Sequence, residues 1–265
     1  MKNKNFIYVL IALITYVVII SFPTYLIIPD DVVMRYVIEV ILRGAYLVFI
    51  ILFSILTKIA KSYTGRTKYW NMLLLAPLFI VAFFNLFYHM VVLHEPFSAL
   101  GDQIAHIFYS DGVQTYEILK FVCIILTVVE EELLFRYILQ RNLLLRHKVN
   151  RILVTAAIYT ACQFFAILYD FGGVFVVSQL WFLAFELSFI FGVGIILGFM
   201  YEYTNNIIYP IGFALLFYLC KGLLLVDSQN LVNFTYYVIT YVSFSVFAIG
   251  YICLFYFLML KKENR

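Results

Sequence analysis

Charge is what this sequence has least of. Only 12% of its 265 residues are Asp, Glu, Lys or Arg, where soluble globular domains carry about a quarter, and that excludes a water-soluble fold. Five Pro and 12 Gly are too few for a fibrous or low-complexity chain. The four cysteines, Cys123, Cys162, Cys220 and Cys253, each fall inside an apolar run without metal-ligand spacing. Neither a disulfide framework nor a zinc knuckle is implied, and they read as small buried apolar residues. No basic stripe tracks a phosphate backbone, which excludes nucleic acid as a partner. No Gly-rich phosphate loop or internal repeat occurs, so no cofactor is implied. What is present is 65% hydrophobic residues, with 28 Phe and 22 Tyr, the reverse of a disordered composition. The chain reads as an all-α, polytopic membrane protein.

A crossing helix needs roughly 20 mostly apolar residues, and about eight runs qualify: Phe6 to Ile28, Val32 to Leu56, Met72 to Leu93, Ile118 to Leu139, Ile152 to Leu168, Val174 to Met200, Ile207 to Val226 and Val232 to Met259. The runs are continuous rather than alternating, which argues against a β-barrel. The first is too long, and lacks the small-residue cleavage pattern, for a signal peptide. Lys2, Lys4, Lys58, Lys61, Arg66, Lys68, Arg141, Arg146, Lys148, Arg151, Lys261, Lys262 and Arg265 all fall on one side of an eight-span arrangement. Asp30, Asp31, Glu95, Asp102, Asp111, Glu117, Asp170 and Asp227 fall on the other. The positive-inside rule then places both termini in the cytoplasm, and the cell membrane is the expected location. Residues 1–265 form one integral membrane domain, with residues 1–117 as its N-terminal helices. His94 and His106 lie in the longest outer loop with scattered acids, a weak metal pattern, and no metal site is expected.

The fourth run contains Glu130-Glu131-Glu132-Leu-Leu-Phe-Arg136. Each ionised residue at mid-bilayer costs about 2.5–3.5 kcal/mol on insertion scales, so these residues must be paired, near the interface, or useful. Glu132 and Arg136 stand at i and i+4 and should pair; Glu131 points about 100° away, toward another neighbour. A carboxylate in such surroundings has the setting of a general base. The alternative is a buried ion-pair cluster that fixes helix packing. Glu39 and Arg43, also at i and i+4, read as a structural pair. With Glu186 and Lys221 they would also suit a polar transport path, but no inverted repeat or broken helix supports one. Gly194 and Gly198, four apart, give one helix a close-packing face. Asn205-Asn206 and Pro210 mark a turn and a helix start.

Glu131-Glu132-Leu-Leu-Phe-Arg136 matches an E-E-x-x-x-R motif. Phe191-Gly-Val-Gly194-Ile-Ile-Leu-Gly198, followed by Tyr201 to Pro210, matches an F-x-x-G-x-x-x-G stretch and a turn into the next helix. In this order the motifs resemble the CPBP family, the membrane proteases related to the CAAX prenyl endopeptidases and the Abi-type bacteriocin-processing and self-immunity proteins, over a core at residues 118–226. The resemblance implies that Glu131, Glu132 and Arg136 are the catalytic motif positions. It implies a mechanism in which the first Glu and a His activate water, while a second His and an Asn stabilise the oxyanion.

Three positions depart from that pattern. Tyr159-Thr-Ala-Cys-Gln163 carries Gln163 where the first His would stand, and Ala214 and Tyr218 stand where the second His and the Asn would be. Gln hydrogen-bonds but does not titrate as imidazole does, and loss of an oxyanion donor costs about a hundred- to a thousandfold in rate. Gln163 and Tyr159 are expected to keep a polar pocket facing Glu131 or Arg136. The resulting expectation is a catalytically impaired protein that binds a membrane-embedded protein or peptide as scaffold, regulator or immunity factor. The alternative is an active intramembrane endopeptidase with Glu131 as general base.

Overall fold

The computed structural model describes residues 2–22, 31–57, 115–143, 145, 147–170, 177–224 and 248–258. Helix α1 spans Lys2–Ile20, α2 Val32–Thr57, α3 Thr115–Glu132, α4 Lys148–Asp170, α5 Val177–Thr204 and α6 Ile208–Leu224. A further apolar helix, α7, covers Ala248–Leu258. No strand occurs among the described residues. The third expected span, Met72 to Leu93, and the outer loop with His94 and His106 lie outside them, as does residues 232–247 of the eighth.

Several boundaries differ from those expected. Helix α1 stops at Ile20, not Ile28. Phe22 precedes Pro23, and a residue before proline is pushed out of helical geometry. Helix α5 begins at Val177 and runs to Thr204, later at both ends than Val174 to Met200. Helix α4 extends beyond Ile152 to Leu168 at both ends. Among the described residues, two segments, Val33–Thr57 and Glu186–Thr204, are long and apolar enough to cross a membrane, and Phe6–Ile20, Ile208–Tyr218 and Ala248–Leu258 are shorter apolar helices. Helix α3 does not qualify because of the charges it carries.

Those charges have a structural counterpart. Helix α3 passes without a break into a π-helix at Leu133–Gln140, immediately after the three glutamates. A π-turn widens the backbone spacing from i→i+4 to i→i+5 and is frequent at functional sites.

The exterior is apolar, and a polar cluster lies within the interior. Large apolar side chains point outward along α1 (Phe6, Ile14, Val18) and α2 (Ile41, Val48, Leu52, Ile55), while Glu130, Glu131, Glu132, Arg136 and Gln140 are buried. An apolar exterior around a polar interior suits a hydrocarbon solvent, where polar groups must find internal partners.

Two apolar clusters flank the polar interior. One joins Val128 of α3, Ile152 and Ala156 of α4, the Val193 to Met200 face of α5, Phe213 and Phe217 of α6, and Tyr251 and Phe255 of α7. The other joins Val9, Ala12 and Tyr16 of α1, Tyr46 and Ile50 of α2, the π-helix, and Tyr159 and Cys162 of α4.

Helices α4 and α5 touch closely because of two glycines. A Cβ on Gly198 would meet Ile152 Cγ2 at 2.8 Å, and one on Gly194 would meet Ala156 Cβ at 3.2 Å. At the end of α5, Asn205 takes a left-handed conformation (φ 52°), which Asn tolerates better than most residues. Its N–H donates to Tyr201 O at 2.8 Å. Asn206 Oδ1 then accepts from Ile208 N at 3.0 Å and caps α6. Pro210 sits in the first turn of α6, where its missing N–H leaves no helical bond unmade. Cys123 and Cys162 are buried as expected; Cys253 is exposed, on the outward side of α7.

Candidate functional site

The three consecutive glutamates at the end of α3 project in three directions, and each finds a different partner. Glu130 pairs with Arg43 of α2. Arg43 stands one turn from Glu39 on α2, and it also reaches across to α3, a contact that exists because the tertiary fold brings α2 against that face. Glu132 lies 3.4 Å from Nε of Arg136, four residues along. Arg136 is fully buried, and its guanidinium lies over the Tyr159 ring at 5.7 Å, a cation–π distance. Among the described residues, its Nη1 and Nη2 have no hydrogen-bond acceptor.

Glu131 occupies the centre. Its Oε1 accepts from the Tyr16 hydroxyl at 2.6 Å and from Gln163 Nε2 at 2.6 Å, and its Oε2 accepts from the Tyr159 hydroxyl at 3.0 Å. Gln163 Nε2 also lies 3.1 Å from the Tyr16 hydroxyl, which closes a three-membered ring of hydrogen bonds. Tyr159 stands 3.5 Å, hydroxyl to hydroxyl, from Tyr218 of α6. Tyr159 and Gln163 are one turn apart on α4, so a single helix face presents both to the carboxylate.

Aromatic packing holds this arrangement. The Tyr16 ring meets Phe135 edge-on at 5.4 Å and Tyr46 at 5.7 Å, and Phe135 meets Tyr159 at 5.0 Å. Helix α1 is further tied to α2 by the Tyr46 hydroxyl, which donates to Ala12 O at 3.0 Å.

A second polar group lies at the far end of the π-helix. Gln140 Nε2 donates to Gly198 O at 3.1 Å and to Glu202 Oε1 at 3.3 Å, and Arg151 pairs with Glu202 at 3.2 Å. Gly198 therefore does two things: it lets α4 approach, and it leaves its carbonyl open to Gln140.

Residues 115–220 match the family described as type II CAAX prenyl endopeptidase, Rce1-like. The similarity is to the Rce1-like domain of the CPBP family and covers less than half of the chain. Comparison with curated proteins and with solved structures returned no match. The Rce1-like domain runs from α3 through α6 and contains Glu131, Glu132, Arg136, Tyr159, Gln163, Gly194 and Gly198, all named from the sequence. Ala214 is buried in the α6 packing face rather than in the glutamate cluster.

Tyr16, and the contact of Arg43 with Glu130, are what the sequence left unnoticed. Both sit outside the Rce1-like domain, on α1 and α2, and both contact the glutamates directly. An intramembrane arginine was visible in the sequence; a tyrosine among 22 gave no signal. Among the described residues, no group of three or more His, Cys, Asp or Glu is placed to hold a metal ion.

Proposed function

We propose that this protein is a multi-pass cell-membrane protein of about eight spans, with cytoplasmic termini, that uses its Rce1-like domain to hold a membrane-embedded protein or peptide without hydrolysing it. The observation that carries this reading is the occupancy of Glu131. A carboxylate offers about four lone-pair sites, and protein donors fill three of them, both on Oε1 included. A general base must be within hydrogen-bond reach of the proton it takes. Glu131 instead spends its acceptors on Tyr16, Tyr159 and Gln163. Gln163, at the position where the family resemblance expects a histidine, donates to the carboxylate and has no imidazole with which to share a proton.

The polar pocket still has a use in this reading. Buried polar groups in a membrane interior recognise other polar groups strongly enough to select a partner helix. The competing reading, an active endopeptidase, draws on the retention of Glu131, Glu132 and Arg136.

The test is a mass-spectrometric comparison of membrane-protein termini in cells that lack the protein, carry it unchanged, or carry Glu131→Gln, at matched expression. The expected result is the same set of termini in all three. Cleavage products that appear with the unchanged protein and vanish with Glu131→Gln refute the binding reading and establish the protease.

A further inference from the structure

The Tyr16 hydroxyl oxygen lies within hydrogen-bond distance of both Glu131 Oε1 and Gln163 Nε2, at 2.6 and 3.1 Å. A hydroxyl in that place has the size and the bonding of a water molecule: it donates to the carboxylate and accepts from the amide. Any water that Glu131 was to polarise, or any polar group of an incoming segment that was to bind it, would donate to this same oxygen. We propose that Tyr16 is an internal plug, and that α1 is the door that carries it.

The inference rests on the reading of Glu131 as the centre of the site and adds how that site is opened. Four observations support it. The Tyr16 side chain is fully buried and reaches Glu131 from a helix 115 residues away in sequence. It comes from outside the Rce1-like domain, so the domain's own helices leave this side of Glu131 to be covered. The opposite face of α1 exposes Phe6, Ile14 and Val18, so α1 meets the lipid along one side. Among the described residues, α1 is tied to its neighbours by the hydrogen bonds of Tyr16 and by that of Tyr46 to Ala12 O.

Opening therefore means moving one helix, held to the site by the Tyr16 bond to an ionisable group and to its neighbours by the apolar packing of Val9, Ala12 and the Tyr16 ring. A membrane segment entering against Glu131 must displace the Tyr16 hydroxyl and supply a donor of its own, a hydroxyl or an amide N–H.

The experiment reads access to Glu131 independently of turnover. The full chain in lipid nanodiscs is treated with dicyclohexylcarbodiimide, an apolar reagent that adds to a protonated carboxyl and rearranges to a stable N-acylurea. Labelling of Glu131 is then quantified by peptide mass spectrometry at one pH. Tyr16→Phe keeps the ring against Phe135 and Tyr46 and removes only the hydroxyl. Losing a hydrogen bond to a charged group raises the locally open population about tenfold, and the Glu131 labelling rate should rise by that factor.

Tyr159→Phe is the control. It also deprives Glu131 of one hydroxyl donor, but from α4, so it leaves the α1 door shut and should change labelling less than about threefold. Equal acceleration by both variants overturns the plug, because the effect would then belong to the carboxylate and not to α1. No acceleration by Tyr16→Phe overturns it as well. Neither outcome bears on proteolysis: a cleaving enzyme whose labelling depends on Tyr16 alone would refute the binding reading and keep the plug.

Discussion

Removing the Arg43 side chain should destabilise the protein far more than removing its partner. Glu130 is completely buried, whereas about a fifth of the Arg43 side chain is exposed (21%). With all five groups ionised, Glu130, Glu131 and Glu132 face Arg43 and Arg136, a net charge of −1; Arg43→Met makes it −2 and strands a carboxylate with no route to water. Breaking a buried pair in this way costs about 3–5 kcal/mol. Glu130→Met leaves a guanidinium on a long, flexible stem that is already partly exposed and turns its head toward the interface. That change should cost about 1–3 kcal/mol. The double variant, which buries two thioethers in place of two charges, should fall within about 1 kcal/mol of the unchanged protein. The assay is reversible unfolding by sodium dodecyl sulfate in mixed micelles, followed by far-ultraviolet circular dichroism, for all four proteins of the cycle. The expected coupling is about 3 kcal/mol or more. Equal costs for the two single variants that simply add in the double would refute the argument, since the pair would then contribute nothing as a pair.

Other outcomes follow from the same contacts. Gly198→Ala forces a methyl to within 2.8 Å of Ile152 Cγ2 and should cost about 1–3 kcal/mol by overpacking. Gly194→Ala, at 3.2 Å from Ala156 Cβ, should cost less. Gly212→Ala, where nothing lies within 4 Å, should be stabilising by up to about 1 kcal/mol through helix propensity; the same unfolding titration ranks the three. Gln163→Leu removes one of two donors to Glu131 Oε1 and should destabilise by about 1–3 kcal/mol, with Gln163→Glu worse because a fourth carboxylate would join the cluster. Arg151→Met breaks a pair in which both side chains are partly exposed (23% and 11%) and should cost under about 1 kcal/mol, an effect that shrinks further in high salt.

Much of the site could be read along one helix at a time. The pairing of Glu132 with Arg136, the different heading of Glu131, and the common face of Tyr159 and Gln163 all follow from helical periodicity, which is local and survives in any fold that keeps the helix. Gly194 and Gly198 were equally legible, because a four-residue spacing of glycines fixes where another backbone approaches, though not which one. The partner proved to be α4, through Ile152 and Ala156. The end of α1 was legible in principle from Pro23, but a continuous apolar run hid it.

By itself the sequence determined that the chain is helical and apolar-faced, that α3 carries charges needing partners, and that Tyr159 and Gln163 share one face of their helix. Those follow from composition and from the 3.6-residue repeat. The tertiary structure decided who answers the charges. Arg43 rather than its own helix provides for Glu130, and Tyr16 takes the inner side of Glu131, because contacts between helices more than 80 residues apart depend on how α1 and α2 pack against α3. No local periodicity encodes that. It also decided the π-helix at Leu133–Gln140: a widened turn is a compromise between backbone bonding and the packing of Phe135, Arg136 and Gln140 against three different neighbours, and it exists only once those neighbours are in place.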